Sequence, residues 1–135
     1  MSTFATLEEA REYFKNDLFA TENGMVIDEI GEDCATCSVV LEPKHRNATG
    51  GVMGGAIFTL ADFAFAVACN QVHCPTVGLQ VSVNYLSGTR GTKLFAHATC
   101  HKDGRTSGVY NVDVTDDLGR DIAQFIGTAY KLEAK

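Results

Sequence analysis

The chain has 135 residues, 45% of them hydrophobic and 21% charged, with a formal net charge of -6. This length holds one domain with one core, and the composition is that of a folded globular protein rather than a disordered segment. The acidic balance excludes a general nucleic-acid binder, which needs clustered Lys and Arg to neutralise phosphates, and leaves room for a single anionic small ligand.

The predicted elements begin with a short helix over residues 6–16. Thr6 and Glu9 have capping-box spacing, and Leu7, Ala10 and Phe14, flanked by Tyr13, form its apolar stripe. Residues 24–30 and 34–41 are β-branched, turn-bounded runs separated by Gly31-Glu32-Asp33, which predicts a hairpin. Pro43 stops the second strand, and residues 42–53, with His45 and Asn47, read as a loop leading into a glycine-rich helix start. The next element is a long helix over residues 56–69, whose only strongly polar side chain is Asp62. After Pro75 a strand begins at Thr76. Val77, Leu79, Val81, Val83 and Tyr85 alternate there with Gly78, Gln80, Ser82 and Asn84. Strands over residues 93–102, 106–115 and 121–132 follow, joined by turns at Asp103-Gly104 and Asp116-Asp117-Leu118-Gly119, which predicts an antiparallel meander.

A helix that is apolar all round is not satisfied by one flat sheet face. The order of elements therefore predicts an α+β domain in which a strongly curved antiparallel sheet wraps a long central helix, with part of the helix left for a partner subunit. The apolar run of about 14 residues is shorter than the ~20 a bilayer needs, so no membrane partner is expected. The N-terminus lacks a basic start followed by an apolar run, which points to the cytoplasm.

Two features of the glycine-rich helix carry chemistry. Backbone N–H groups at a helix start have no intrahelical acceptor, and Gly54-Gly55 lets an anion or a polarised carbonyl oxygen approach them. The same glycines also suit a tight turn with close packing. Asp62 reads either as a functional carboxylate or as a buried acid that caps a backbone donor or a partner helix. At ~1.5 Å per residue it lies about 12 Å along the axis from Gly54, so one chain's helix start and its own Asp62 cannot both touch one carbonyl group. If they cooperate, they come from two antiparallel copies of the helix across a two-fold axis, which predicts a dimer with two composite sites.

Other groups carry less. The five cysteines are an odd number scattered through periodic segments, which suits reduced thiols, and Cys34 and Cys37 fall on opposite faces of one strand. His97 and His101 share a face of a strand but lie about 13 Å apart, too far for one metal, and no metal is expected. His73-Cys74 has no third group to orient a nucleophile pair. Arg90, Lys93, Lys102 and Arg105 flank the late hairpins, either as solvated charges or as partners for phosphates.

His45-x-Asn47-x-x-Gly50-x-x-Met53-Gly54-Gly55 followed by Leu60-x-Asp62 resembles the signature of hotdog-fold acyl-CoA thioesterases of the phenylacetate-pathway (PaaI-like) type. Tyr85-Leu86-Ser87, Gly104-Arg105 and Asp117-x-Gly119 extend the likeness over roughly residues 20–132. The resemblance implies a hotdog fold, with dimers joined sheet edge to sheet edge and often paired into tetramers. It implies an acyl-CoA substrate held by the N–H of Gly54 or Gly55 of one subunit. Asp62 of the other subunit would then be general base or nucleophile, and Asn47 would help to place the thioester or the attacking water. His45, Met53, Thr76, Gln80, Ser82, Arg90, Lys102 and Arg105 are the expected substrate-binding residues. Coenzyme A is expected only as part of the substrate, with no resident cofactor. Where much of the family has His before the paired glycines this chain has Met53, which cannot donate a proton. The alternatives are a non-catalytic acyl-CoA-binding or sensing module and a hotdog dehydratase, the latter disfavoured because no His stands beside Asp62.

Overall fold

The computed structural model describes residues 2–133. The chain opens with α1 (Leu7–Phe14), capped by Thr6, whose hydroxyl accepts the Glu9 N–H while the Glu9 carboxylate accepts that of Ala5. The expected helix thus exists but ends earlier, and it is followed by α2 (Leu18–Glu22), which has too few residues to leave a periodic signal. Gly24, at φ +87, closes α2 into the hairpin of β1 (Val26–Ile30) and β2 (Cys34–Val40). A single 3-10 turn, Pro43–His45, lies inside the expected loop. Then come α3 (Gly54–Val72), β3 (Thr76–Tyr85), β4 (Lys93–Asp103), β5 (Ser107–Asp116) and β6 (Asp121–Lys131).

The strands form one antiparallel sheet in the order β1-β2-β4-β5-β6-β3. The late meander is present as β4-β5-β6. β3 lies outside it, crossing to the far edge to pair with β6 and leaving its other side unpaired. α3 packs against every strand. Alternation supplies the sheet's contribution to the core: Leu94, Ala96 and Ala98 on β4 and Tyr110, Val112 and Val114 on β5 are buried, while their neighbours face outward.

Phe65 sets how closely α3 lies on the sheet. Its ring packs edge-on against Tyr110 and tilted against Phe125, each with centroids 5.7 Å apart. It fits over β6 and β3 because Gly127 and Gly78 stand beneath it; a Cβ built on Gly127 would lie 2.8 Å from ring carbons, and one on Gly78 3.3 Å. At the other end of α3 the buried Asn70 side chain accepts the Thr76 N–H (2.9 Å) and donates to the Thr76 carbonyl (3.1 Å). Gln71 makes the same paired bonds to Phe4, tying the N-terminal segment to the helix end.

The sheet leaves part of α3 uncovered, as expected: Gly55 and Asp62 are exposed, Thr59 and Ala66 are partly so, and their spacing of four, three and four residues places them on one face. A single sheet covers only part of a helix's circumference, so Asp62 lies on an open stripe rather than in the core. α3 has 19 residues and by length and composition could cross a bilayer, yet most of it is covered by the sheet, as in a core helix.

The notch under Phe65 generates a stability prediction. Gly127→Ala pushes a methyl group into a fully buried ring that has nowhere to move. Urea unfolding should show a loss of about 1–3 kcal/mol, and an unchanged midpoint would contradict the close packing described.

Candidate active site

The helix start is built by its preceding loop. Asn47 Oδ1 accepts the N–H groups of Thr49 and Gly51, both at 3.1 Å, and the Thr49 hydroxyl at 2.8 Å. Gly50 supplies the positive φ (+88) that this tight loop requires. His45 is buried, with Nδ1 accepting the Glu42 N–H (2.9 Å) and Nε2 donating to the Asn23 carbonyl (2.7 Å), which puts the ring proton on Nε2. The His45 carbonyl in turn accepts the Met53 N–H at 2.8 Å. The loop thus delivers Met53 to the N-cap in extended conformation, where its side chain caps nothing.

The Met53 carbonyl takes the N–H groups of Ala56 (2.9 Å) and Ile57 (3.3 Å). Among the described residues, the Gly54 and Gly55 N–H groups meet no acceptor. The two glycines differ in surroundings. Tyr85 donates its hydroxyl to the Gly54 carbonyl at 3.0 Å and crowds that residue, with its ring carbon 3.1 Å from where a Gly54 Cβ would be. Gly55 is open and lines a cavity of about 450 Å³ together with Met53, Phe58, Tyr85 and Phe19.

Asp62 stands further along the same stripe, in a neighbouring cavity of about 360 Å³ that also holds Asp17, Phe19 and Phe58. Its carboxylate has no hydrogen-bond partner among the described residues. Although the side chain is open to solvent in the single chain, the apolar surface of Phe58, Phe63 and Ala66 strips part of its hydration. Its pKa is raised for that reason first, and second by the like charge of Asp17. Asp17 is itself raised by burial.

The remaining candidates scatter. Thr76 is buried at the far end of α3, where its hydroxyl donates to the His73 carbonyl and its backbone is held by Asn70. Gln80 and Ser82 are exposed, in register with Thr128 and the exposed Ile126. They face the outer side of the sheet, and it is Val81 and Val83 that turn toward α3. Arg90 follows Thr89, which lines a cavity with Gly54 at the helix start, whereas Lys102 and Arg105 sit at the other end of β4, an 11-residue strand spanning about 33 Å at ~3.3 Å per residue, so they form no single basic cluster in one chain.

His45 has no free ring nitrogen to offer a ligand and acts as a strut of the loop. The shared face expected for His97 and His101 is broken by a β-bulge between Cys100 and Lys102, and His97 bonds Thr36 instead. His73 bonds the Leu132 carbonyl and Cys74 the Tyr13 hydroxyl, so they make no pair with each other. Tyr85 enters the sequence reading only through its strand and the family likeness, and Phe19 and Asp17 not at all. Asp17 follows Asn16 as a potential N-cap, a signal that was there to read, whereas no local pattern points to Phe19.

Residues 49–123 match the thioesterase superfamily. The acyl-coenzyme A thioesterase PaaI of Escherichia coli is 28% identical over 126 residues, which cover 93% of this chain and 90% of that protein. Its solved structure aligns with a TM-score of 0.88 at 26% identity, over 93% of this chain and 92% of that one. A putative esterase of Archaeoglobus fulgidus is 33% identical over 129 residues, covering 93% of this chain and 83% of that protein. A hypothetical thioesterase of Streptococcus pneumoniae, solved with coenzyme A, aligns with a TM-score of 0.82 at 25% identity, over 90% of this chain and 98% of that one. A superfamily match over more than half the sequence, with the PaaI architecture shared along nearly all of it, shows that the chain belongs to the thioesterase superfamily as a PaaI-like hotdog-fold enzyme.

Proposed function

We propose that this enzyme hydrolyses an aryl- or short- to medium-chain acyl-CoA to the free acid and coenzyme A. One observation carries the reading: an unpartnered N–H at Gly55 opens onto an apolar cavity on the same helix stripe as an unpartnered carboxylate, Asp62, whose pKa is raised. The superfamily membership and the coenzyme A in the pneumococcal neighbour support the substrate class.

In this account the thioester oxygen docks on the Gly55 N–H, which gains most as negative charge develops on that oxygen. Asp62 accepts a proton from water, the hydroxide attacks the carbonyl carbon, and collapse of the tetrahedral intermediate expels the coenzyme A thiolate, which recovers the proton. Because about 12 Å of helix separates the two groups, Asp62 comes from a second copy. The open stripe of α3 and the unpaired edge of β3 are the surfaces that support such a pairing. Asn47 has committed its oxygen to the loop, so only its amide N–H₂ is left to position substrate or water. An antiparallel pairing also brings the Lys102–Arg105 end of one sheet toward the Arg90 end of the other, where phosphates of coenzyme A would meet both. The reading uses no metal and no resident cofactor.

A panel of aryl-, short- and medium-chain acyl-CoAs should release free thiol with the wild-type protein; binding without release would instead favour the sensing module. Gly55→Pro deletes the donor at a first-turn position that tolerates proline, and kcat should fall about 10²- to 10³-fold. An unchanged kcat would remove Gly55 from the oxyanion site.

A raised pKa means that folding favours protonated Asp62. The stability it contributes is complete below the ordinary carboxylate range and is lost as pH rises through the raised value. At neutral pH Asp62→Asn should therefore melt no lower than wild type while losing turnover. In the wild type, kcat/KM should decline on acidification with a midpoint above the ordinary carboxylate range, because the base must be ionised. Full activity in Asp62→Asn, or an ordinary midpoint, would contradict the assignment.

A further inference from the structure

The cavity at Gly55 and the cavity at Asp62 are neighbours along the open stripe of α3, and they share Phe19, Phe58 and Thr59 as lining. Phe58 and Thr59 belong to α3 and form the common floor. Phe19 alone comes from another element, the five-residue α2, and stands between the two cavities with 74% of its surface exposed. A phenyl ring so exposed contributes little to the core of the single chain. The backbone that carries it is nevertheless held, because α2 is tied to the loop that builds the helix start. Lys44 Nζ donates to the Glu22 carbonyl at 3.0 Å, and His45 Nε2 to the Asn23 carbonyl at 2.7 Å. His45 thus holds both the start of α3, through its carbonyl, and the end of α2 that carries Phe19, through its ring.

We infer that Phe19 is the specificity-determining partition of this enzyme, closing the acyl end of the Gly55 cavity and limiting the length of the acyl group it accepts. The inference rests on the hydrolase reading for its substrate. With the thioester oxygen at Gly55, the acyl group lies among Met25, Met53 and Phe58 and runs along α3 until it meets Phe19. Beyond the ring lies the chain's own Asp62, which in the paired arrangement serves the other composite site. Phe19 therefore limits acyl length and keeps one site's acyl chain away from the other site's carboxylate. Removing the ring joins the two cavities into one longer trough.

The test is a chain-length series from butanoyl- to hexadecanoyl-CoA on wild type, Phe19→Ala and Phe19→Trp, with affinities measured in parallel for the corresponding S-alkyl-CoA thioethers, which cannot be hydrolysed. Phe19→Ala should raise the long-over-short ratio of kcat/KM about tenfold, the scale expected when a pocket admits additional methylenes, and should shift thioether affinity the same way. Phe19→Trp should shift both toward shorter chains. If no thioester is cleaved but thioether preference still shifts between variants, the hydrolase reading fails while the partition stands. Superimposable chain-length profiles in both turnover and thioether binding, with circular dichroism showing intact folds, would overturn the partition.

Discussion

One sheet covers only part of a helix's circumference, and in this chain the uncovered part is the stripe running through Gly55, Thr59, Asp62 and Ala66. The sheet side of α3 is fixed by Phe65 seated over Gly78 and Gly127, so the helix cannot roll to bury the stripe. Everything chemically distinctive about the chain then falls on that stripe or on its borders. The open backbone donors lie at its start, the carboxylate lies partway along it, and the aromatic ring of α2 stands above it. The dependence runs in one direction: loosening the contact beneath Phe65 would turn the donors and the carboxylate of α3 together relative to the ring of α2.

The carboxylate shows how stability and chemistry oppose each other here. Asp62 has no counter-ion among the described residues, apolar neighbours strip part of its hydration, and Asp17 adds a like charge. A structural acid would be expected to show a satisfying partner, such as a backbone donor or a basic side chain, and none is found among the described residues. What burdens the fold is useful to a general base, since a raised pKa makes a stronger proton acceptor. Pairing of two chains would desolvate the site further and strengthen every electrostatic interaction within it.

Much of this was legible in the sequence, and the reasons differ from element to element. The strand of β3 followed from clean alternation, α1 from its capping box, and α3 from glycines next to an apolar run with a single acid. The expectation of a composite site came from helix rise, on the condition that the helix start and Asp62 cooperate. What could not be read depended on long-range geometry. Nothing local says that β3 pairs with β6 instead of β4, and that placement decides which side chains of β3 face the helix. Gln80 and Ser82 therefore looked like site walls and are outward-facing residues of an edge strand. His45 belongs to the signature, but its role as a strut depends on Asn23, 22 positions earlier, which no spacing rule connects to it. α2 was missed because five residues leave no periodicity, and with it went Phe19 and Asp17.

The central claim is that each site is assembled from the helix start of one chain and the carboxylate of another. Co-refolding an equal mixture of Gly55→Pro and Asp62→Asn chains, each inactive alone, tests it most directly. In a mixed dimer one site would carry both defects and the other neither, so random pairing should restore about a quarter of wild-type turnover. Mixtures that stay as inactive as the separate variants, while exchange of subunits is demonstrated, would place both groups in one chain and contradict the account.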